Sequence, residues 1–231
     1  MAHQGELSSA GGGTTLSDMI LGGQDGLVNV LGVILGVAAA SGDPKIVIAG
    51  GLAATFAESI SMAAVALTSK MAQRDHYWAE LEREKREIKE MPEKEEGEIC
   101  EVYRRKGFEG KLLEDIVKHI ISNDKLWLDR MMKEELELKE VKQKEIWKSS
   151  FIVGFSALVG SFVPLTPYFF LPLKSALVLT LIVSIIVLFL AGIYKAKMTV
   201  GKPLMTGIQM VLIGMGAALA GYFIGKVFGG H

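Results

Sequence analysis

The chain has 231 residues and is 50% hydrophobic yet 22% charged, with a net charge of −1. That balance carries no electrostatic footprint for nucleic acid, so no nucleic-acid partner is expected. The single cysteine, Cys100, excludes an internal disulfide framework and a Cys-rich zinc site, and fits a reducing cytosolic face.

Apolar and charged residues are segregated along the chain. Residues 1–15 form a Gly- and Ser-rich segment without Lys or Arg, read as a disordered tail that lacks the basic region of a secretory signal. Five apolar stretches follow, at about 16–41, 46–69, 151–173, 175–194 and 204–224, each near the roughly 20 helical residues that a hydrocarbon core requires. The first is the least apolar, because Asp18, Gln24 and Asp25 interrupt it, and Ser41-Gly42-Asp43-Pro44 predicts a tight turn into the second. The predicted fold is therefore all-α and polytopic. Residues 16–70 hold membrane helices one and two, 71–147 a soluble helical insert, and 148–231 helices three to five.

The insert is saturated with Glu, Lys and Arg, and three helices are expected in it, punctuated by Pro92, Gly97 and the pair Gly107 and Gly110. No breaker follows Ser69, so the first insert helix, 71–91, should continue the second span. Between Lys148 and Lys195 the only charged residue is Lys174, and Pro164, Pro167 and Pro172 should kink or end the third span. Lys70, Arg74, Lys142, Lys144 and Lys148 flank the insert and Lys195, Lys197 and Lys202 fill the fourth loop; the other side offers Lys45, Lys174 and Lys226. The positive-inside rule then puts the insert in the cytosol. Glycines at 22, 26, 32 and 36 in the first span and at 207, 214, 216, 221 and 225 in the fifth permit close helix approach.

Within the spans, Asp25 and Glu58 each carry an insertion cost of about 2.5–3.5 kcal/mol, which calls for compensation. Asn29 lies one turn beyond Asp25, while Glu58, Ser61 and Met62 share one helix face. Carboxylate oxygens suit divalent cations and a thioether favours softer transition metals, so Asp25, Asn29, Glu58 and Met62 read as the polar lining of a metal path. In the insert, Glu84 and Glu87, then Glu95 and Glu98, stand at i, i+3, and Met131, Met132 and Glu135 close the series. Such pairs build metal clusters where helices converge. Charged helices are also ordinarily solvated faces, and Arg83, Lys85, Arg86 and Lys89 are at hand as partners. His76 and His119 are isolated and read as non-ligands.

Asp25-Gly26-Leu27, Ile60-Ser61-Met62, Asp75-His76-Tyr77, the spaced glutamates and Met131-Met132-x-x-Glu135 together resemble the vacuolar iron transporter family over nearly the whole chain. The resemblance implies a multi-pass homodimer in membrane lipid that is not an enzyme. It would export cytosolic ferrous iron, with manganese or zinc as further cargo, in exchange for protons. No permanently bound cofactor is implied. The membrane would be vacuolar-type in a eukaryote and the cell membrane in a prokaryote. It also implies that Glu84, Glu87, Glu95, Glu98, Met131, Met132 and Glu135 collect metal, and that Asp25 and Met62 line a pathway between protomers. One position departs: the family's best-known members carry a glutamate two turns before the pathway methionine, where this chain has Ala54, and its carboxylate is Glu58, one turn closer. The alternative is a membrane-anchored iron buffer or ferroxidase. An anchor needs no carboxylates in its spans, so Asp25 and Glu58 favour transport.

Overall fold

The computed structural model describes residues 6–198 and 201–229. Among the described residues it is helical, with no strand. It forms two compact units, Met1–Leu67 with Trp147–His231, and Thr68–Ile146.

Five helices are long and apolar enough to cross a membrane, as the sequence predicts: α1 (Glu6–Ser41), α2 (Pro44–Glu90), α6 (Gln143–Leu165), α7 (Leu173–Met198) and α8 (Pro203–Phe228). The chain is thus a multi-pass membrane protein. Helix α1 begins at Glu6, within the stretch expected to be a disordered tail, while residues 1–5 lie outside the described residues. Once a long helix exists, each added residue needs no new nucleus, so even a glycine-rich segment can extend it. The predicted turn is present: Gly42 has φ 63°, and Asp43 Oδ1 accepts a 2.8 Å hydrogen bond from the Lys45 amide, capping α2. Pro164 sits in the last turn of α6, and a 3₁₀ turn, Thr166–Phe169, follows.

Helix α1 is, with α6, one of the two most enclosed spans. One side of α1 supplies Leu27, Val28, Leu31 and Leu35 to a core shared with Leu188, Met210 and Ala218; another supplies Val30, Ile34 and Ala38 to a core with Val47, Leu165 and Tyr168. Its glycines make this enclosure possible. A Cβ at Gly221 or Gly225 would collide with the carbonyl of Gly32 or Gly36, and one at Gly22 or Gly26 with the carbonyl of Val153 or Ala157. Helix α1 therefore packs backbone to backbone against α8 on one side and α6 on the other. The side chains left outward on other helices, such as Phe56, Ile60, Phe151, Ile186 and Phe223, are large and apolar, suited to lipid.

In the second unit, α2 continues without a break to Glu90, as predicted. Three further helices follow where the sequence suggested two: α3 (Pro92–Arg105), α4 (Gly110–Ile121) and α5 (Asp124–Arg130), then a π turn, Met131–Glu135. Pro92 opens α3 at a position that needs no amide donor. Gly97 lies inside α3 and breaks nothing. The additional break falls at Asn123, whose side chain accepts a 3.0 Å hydrogen bond from the Leu126 amide and starts α5. The helices bury stripes at i, i+4, i+7, with Leu113, Val117 and Ile120 on α4 and Ile99 and Val102 on α3, around Ile88, Trp127 and Met131.

The glycine contacts generate a stability prediction. Gly221→Ala should lower the melting temperature of detergent-solubilised protein, at a cost of about 1–3 kcal/mol for overpacking. Gly216, where a Cβ meets nothing within 4 Å, should tolerate alanine without loss. Equal melting of the two variants would refute the α1–α8 contact.

Candidate metal centre

The site in the insert arises from two amphipathic stripes that each end in a glutamate. On α3 the buried positions are Glu95, Ile99 and Val102. On α2, Glu84 stands four residues before buried Ile88 in the same way. Both carboxylates thus occupy positions where helical periodicity demands an apolar side chain. Glu84 is 2% exposed and Glu95 fully buried.

The third carboxylate comes from the π turn. The Leu136 amide donates to the Met131 carbonyl, five residues back, at 3.0 Å, and the segment ends at Glu137, whose φ of 53° is unusual for a non-glycine residue. The widened turn separates two adjacent glutamates. Glu134 accepts hydrogen bonds from Tyr103 at 3.1 Å, from Arg130 at 2.6 Å and from Lys106. Glu135 joins Glu84 and Glu95, with one carboxylate oxygen from each lying within 4.8 Å of the others. In all three the Oε2 atom is buried without a hydrogen-bond partner. Unpaired buried acceptors are costly, and three carboxylates meeting from separate elements make an acidic cradle of the kind a divalent cation would satisfy.

Cations surround the outside of this cradle. Arg83 lies 3.2 Å from Glu84, 2.9 Å from Glu80 and 3.7 Å from Glu87. Lys94 lies 3.1 Å from Glu95, 3.0 Å from Glu98 and 3.8 Å from Glu87. In Glu84 and Glu95 the paired oxygen is Oε1, and Oε2 remains free. Burial raises the Glu95 carboxyl above its ordinary range although Lys94 opposes it. Burial, reinforced by the charges of Glu98, Glu84 and Glu95, pushes Glu135 up to about 7.

The predicted residues therefore separate. Glu84, Glu95 and Glu135 converge, Glu98 lies close enough for its charge to act on Glu135, and Glu87 is engaged by the two cations. Met131 is part of the hydrophobic core with Ile99 and Trp127, whereas Met132, only 1% exposed, belongs to none of the hydrophobic clusters. His119 is exposed, and His76 lies 3.9 Å from Glu80. Lys94 was not singled out from sequence; its place four residues before Glu98 is the signal for it.

In the membrane unit, Asn29 Nδ2 donates a 3.0 Å hydrogen bond to Glu58 Oε1, and the Asp25 carboxyl is within hydrogen-bonding reach of Glu58. Met62, one turn along α2, is half-buried and Ser61 exposed. Ala54 packs against the apolar cluster of Val30 and Ile34.

These features define an all-α polytopic membrane protein with an acidic helical insert. Residues 16–226 match the model of the VIT family, and the chain belongs to that family. It is 32% identical over 210 residues to vacuolar iron transporter 1 of Tulipa gesneriana, covering 90% of this chain and 85% of the relative. It is 32% identical over 216 residues to vacuolar iron transporter 1 of Arabidopsis thaliana, covering 93% and 86%. The vacuolar iron transporter of Plasmodium falciparum (isolate 3D7) is 30% identical over 222 residues, covering 92% of this chain and 81% of its own.

The raised carboxyl of Glu135 predicts a pH dependence. A carboxyl whose value rises from 4.5 unfolded to about 7 folded binds its proton more tightly in the folded chain. Its stabilising contribution is full below about 4.5 and is lost as pH rises through about 7. Glu135→Gln, which is neutral throughout, should raise the metal-free melting temperature at pH 8 and leave it nearly unchanged at pH 5. An equal effect at both pH values would contradict the assignment.

Proposed function

We propose that this chain is a transporter that exports ferrous iron, and also manganese or other divalent transition metals, from the cytosol in exchange for protons, acting as a homodimer. The observation that carries this reading is the Asp25–Glu58–Asn29 constellation within apolar spans. A membrane anchor for an iron buffer or ferroxidase would have no use for it, and polar groups at that depth are costly unless they serve a path. The VIT family relatives are named as transporters rather than enzymes, which agrees.

The insert faces the cytosol and collects metal on Glu84, Glu95 and Glu135, with Glu87, Glu98, Met131 and Met132 as the wider acidic and thioether surround. Metal then meets Asp25 and Glu58. Both carboxyls ligate a divalent ion best when ionised, so an arriving cation expels the proton they hold; the emptied pair takes up a proton again from the opposite side. Met62 supplies a sulfur donor that favours transition metals over magnesium or calcium.

The position of the polar residues supports the dimer reading. Asn29 is exposed on the protomer and Glu58 only partly covered, and Leu21 and Val33 are exposed on the same helix. Leaving amide and carboxyl groups against lipid is unfavourable, whereas a second copy meeting α1 with α1 shelters them and makes the path a shared one.

The test is uptake by sealed vesicles holding a metal-quenched dye and a pH dye. Parental protein should admit ferrous or manganous ions with opposite proton movement. Asp25→Asn and Glu58→Gln should each cut coupled transport at least about tenfold, the loss expected when a group acting in the path is removed. Metal binding without any uptake by the parent would favour the anchored buffer, and parental rates in either variant would move the path elsewhere.

The arrangement of protomers is checked separately. Asn29→Cys should cross-link between copies under oxidation, with cysteines at lipid-facing Phe223 or Ile186 as negative controls. Cross-linking from either control but not from residue 29 would exclude an α1–α1 interface.

A further inference from the structure

The reading of the insert as a metal collector leaves open why so acidic a cluster is stable before any metal arrives. In this structure two cations neutralise it, and they differ in kind. Arg83 belongs to the same helix as its partners Glu80, Glu84 and Glu87. Its planar, multidentate guanidinium suits a fixed, orienting role. Lys94 reaches glutamates of two helices, Glu95 and Glu98 on α3 and Glu87 on α2, at 3.1, 3.0 and 3.8 Å. It does so with a side chain that is 51% exposed. An ammonium on a flexible, half-exposed stem is a compact point charge that can leave its carboxylates for water without disturbing the core.

Second, the inner face of the same cluster is arranged for a cation. Glu84 and Glu95, both more than nine-tenths buried, and Glu135 each present an unpartnered Oε2 atom. A metal that draws on those three carboxylates also attracts Glu98, whose charge acts on Glu135, and the second oxygen of Glu95. Those are the groups that Lys94 holds. We infer that Lys94 is a tethered competitor for divalent metal: its ammonium occupies the outer half of the acidic cluster in the metal-free protein and must be displaced for the metal to be fully ligated. A monovalent ion brings no more charge than the ammonium and gains nothing by displacing it. A divalent ion brings twice the charge and does gain. Lys94 thereby lowers affinity for divalent metal, which favours a collector that must release its cargo as well as bind it.

The inference rests on the metal-collecting reading, and the experiment separates the two. Full-length protein in detergent is titrated with Mn²⁺ alone by calorimetry, comparing the parent with Lys94→Gln, Lys89→Gln and Glu95→Gln. Lys89 is an exposed lysine of α2 that makes no ion pair with the cluster glutamates among the described residues, so it controls for a general change in charge. Lys94→Gln should bind Mn²⁺ about three- to tenfold more tightly, the scale of a few partly exposed ion pairs removed. Lys89→Gln should change affinity less than about twofold, and Glu95→Gln should weaken it. Unchanged or weaker binding by Lys94→Gln would overturn the competitor role, the weaker result making Lys94 an orienting residue instead. An equal gain in both lysine variants would also overturn it, in favour of a general field. No binding by the parent would overturn the metal-collecting reading and this inference with it. Helical content by circular dichroism, expected to be the same in all four proteins, guards against misfolding.

Discussion

A carboxylate taken out of water must find a cation, share a proton or lose its place in the fold, and each of the two units is organised by that constraint. In the insert, Glu84 and Glu95 take core positions of amphipathic helices, and each keeps one oxygen on a cation at the rim while the other faces inward unpaired. The surrounding core of Ile88, Ile99, Leu113, Val117 and Trp127 holds the helices that carry them. Burying charge in this way costs several kcal/mol per ion if left uncompensated. The packing of the insert supports the strained arrangement, and a bound divalent ion would relieve it.

The same constraint explains why the span that carries Asp25 is among the most enclosed. Helix α1 has to keep Asp25 away from hydrocarbon, and it does so by packing backbone against backbone with α8 through Gly32 and Gly36 and with α6 through Gly22 and Gly26. Glycine is the residue that permits carbonyls to approach so closely. The sector of α1 left over carries Asn29 and turns toward Glu58. The glycine-rich pattern of the first span is thus used for contacts within the chain, against α8 and α6.

Much of this was legible in the sequence because it depends on local rules. The five spans, the unbroken passage of α2 beyond Ser69, the turn at Gly42 and the helix end near Pro164 follow from apolar run length and from breakers whose physics is local. What was not legible depends on contacts remote in sequence or on small local energies. Gly97 looked like a break, but a single glycine costs only about 1 kcal/mol within a helix, and the α3 stripe through Ile99 outweighs it. Asn123, a modest cap signal, starts a separate helix instead. The π turn has no clear pattern, although it decides that Glu135 rather than Glu134 enters the cluster. Adjacent Met131 and Met132 looked equivalent as donors, yet Met131 fills the hydrophobic core. The buried glutamates did leave a trace: Glu84 before Ile88 and Glu95 before Ile99 repeat one spacing, a carboxylate one turn ahead of a core isoleucine.

The displaced carboxylate of α2 shows how one constraint propagates to the next. Position 54, where resemblance to the family leads one to expect an acid, packs in this chain against the cluster of Val30, Ile34 and Leu165, which is apolar apart from the Tyr168 hydroxyl. One turn on, at 58, the same helix meets Asn29 and Asp25. A turn of helix returns a side chain to nearly the same face about 5.4 Å along the axis, so the move alters depth more than direction. A glutamate simply restored at 54 would lie among apolar side chains without Asn29 to receive it. The location of the acid on α2 is therefore set by the donor on α1, and relocating it takes paired changes on both helices.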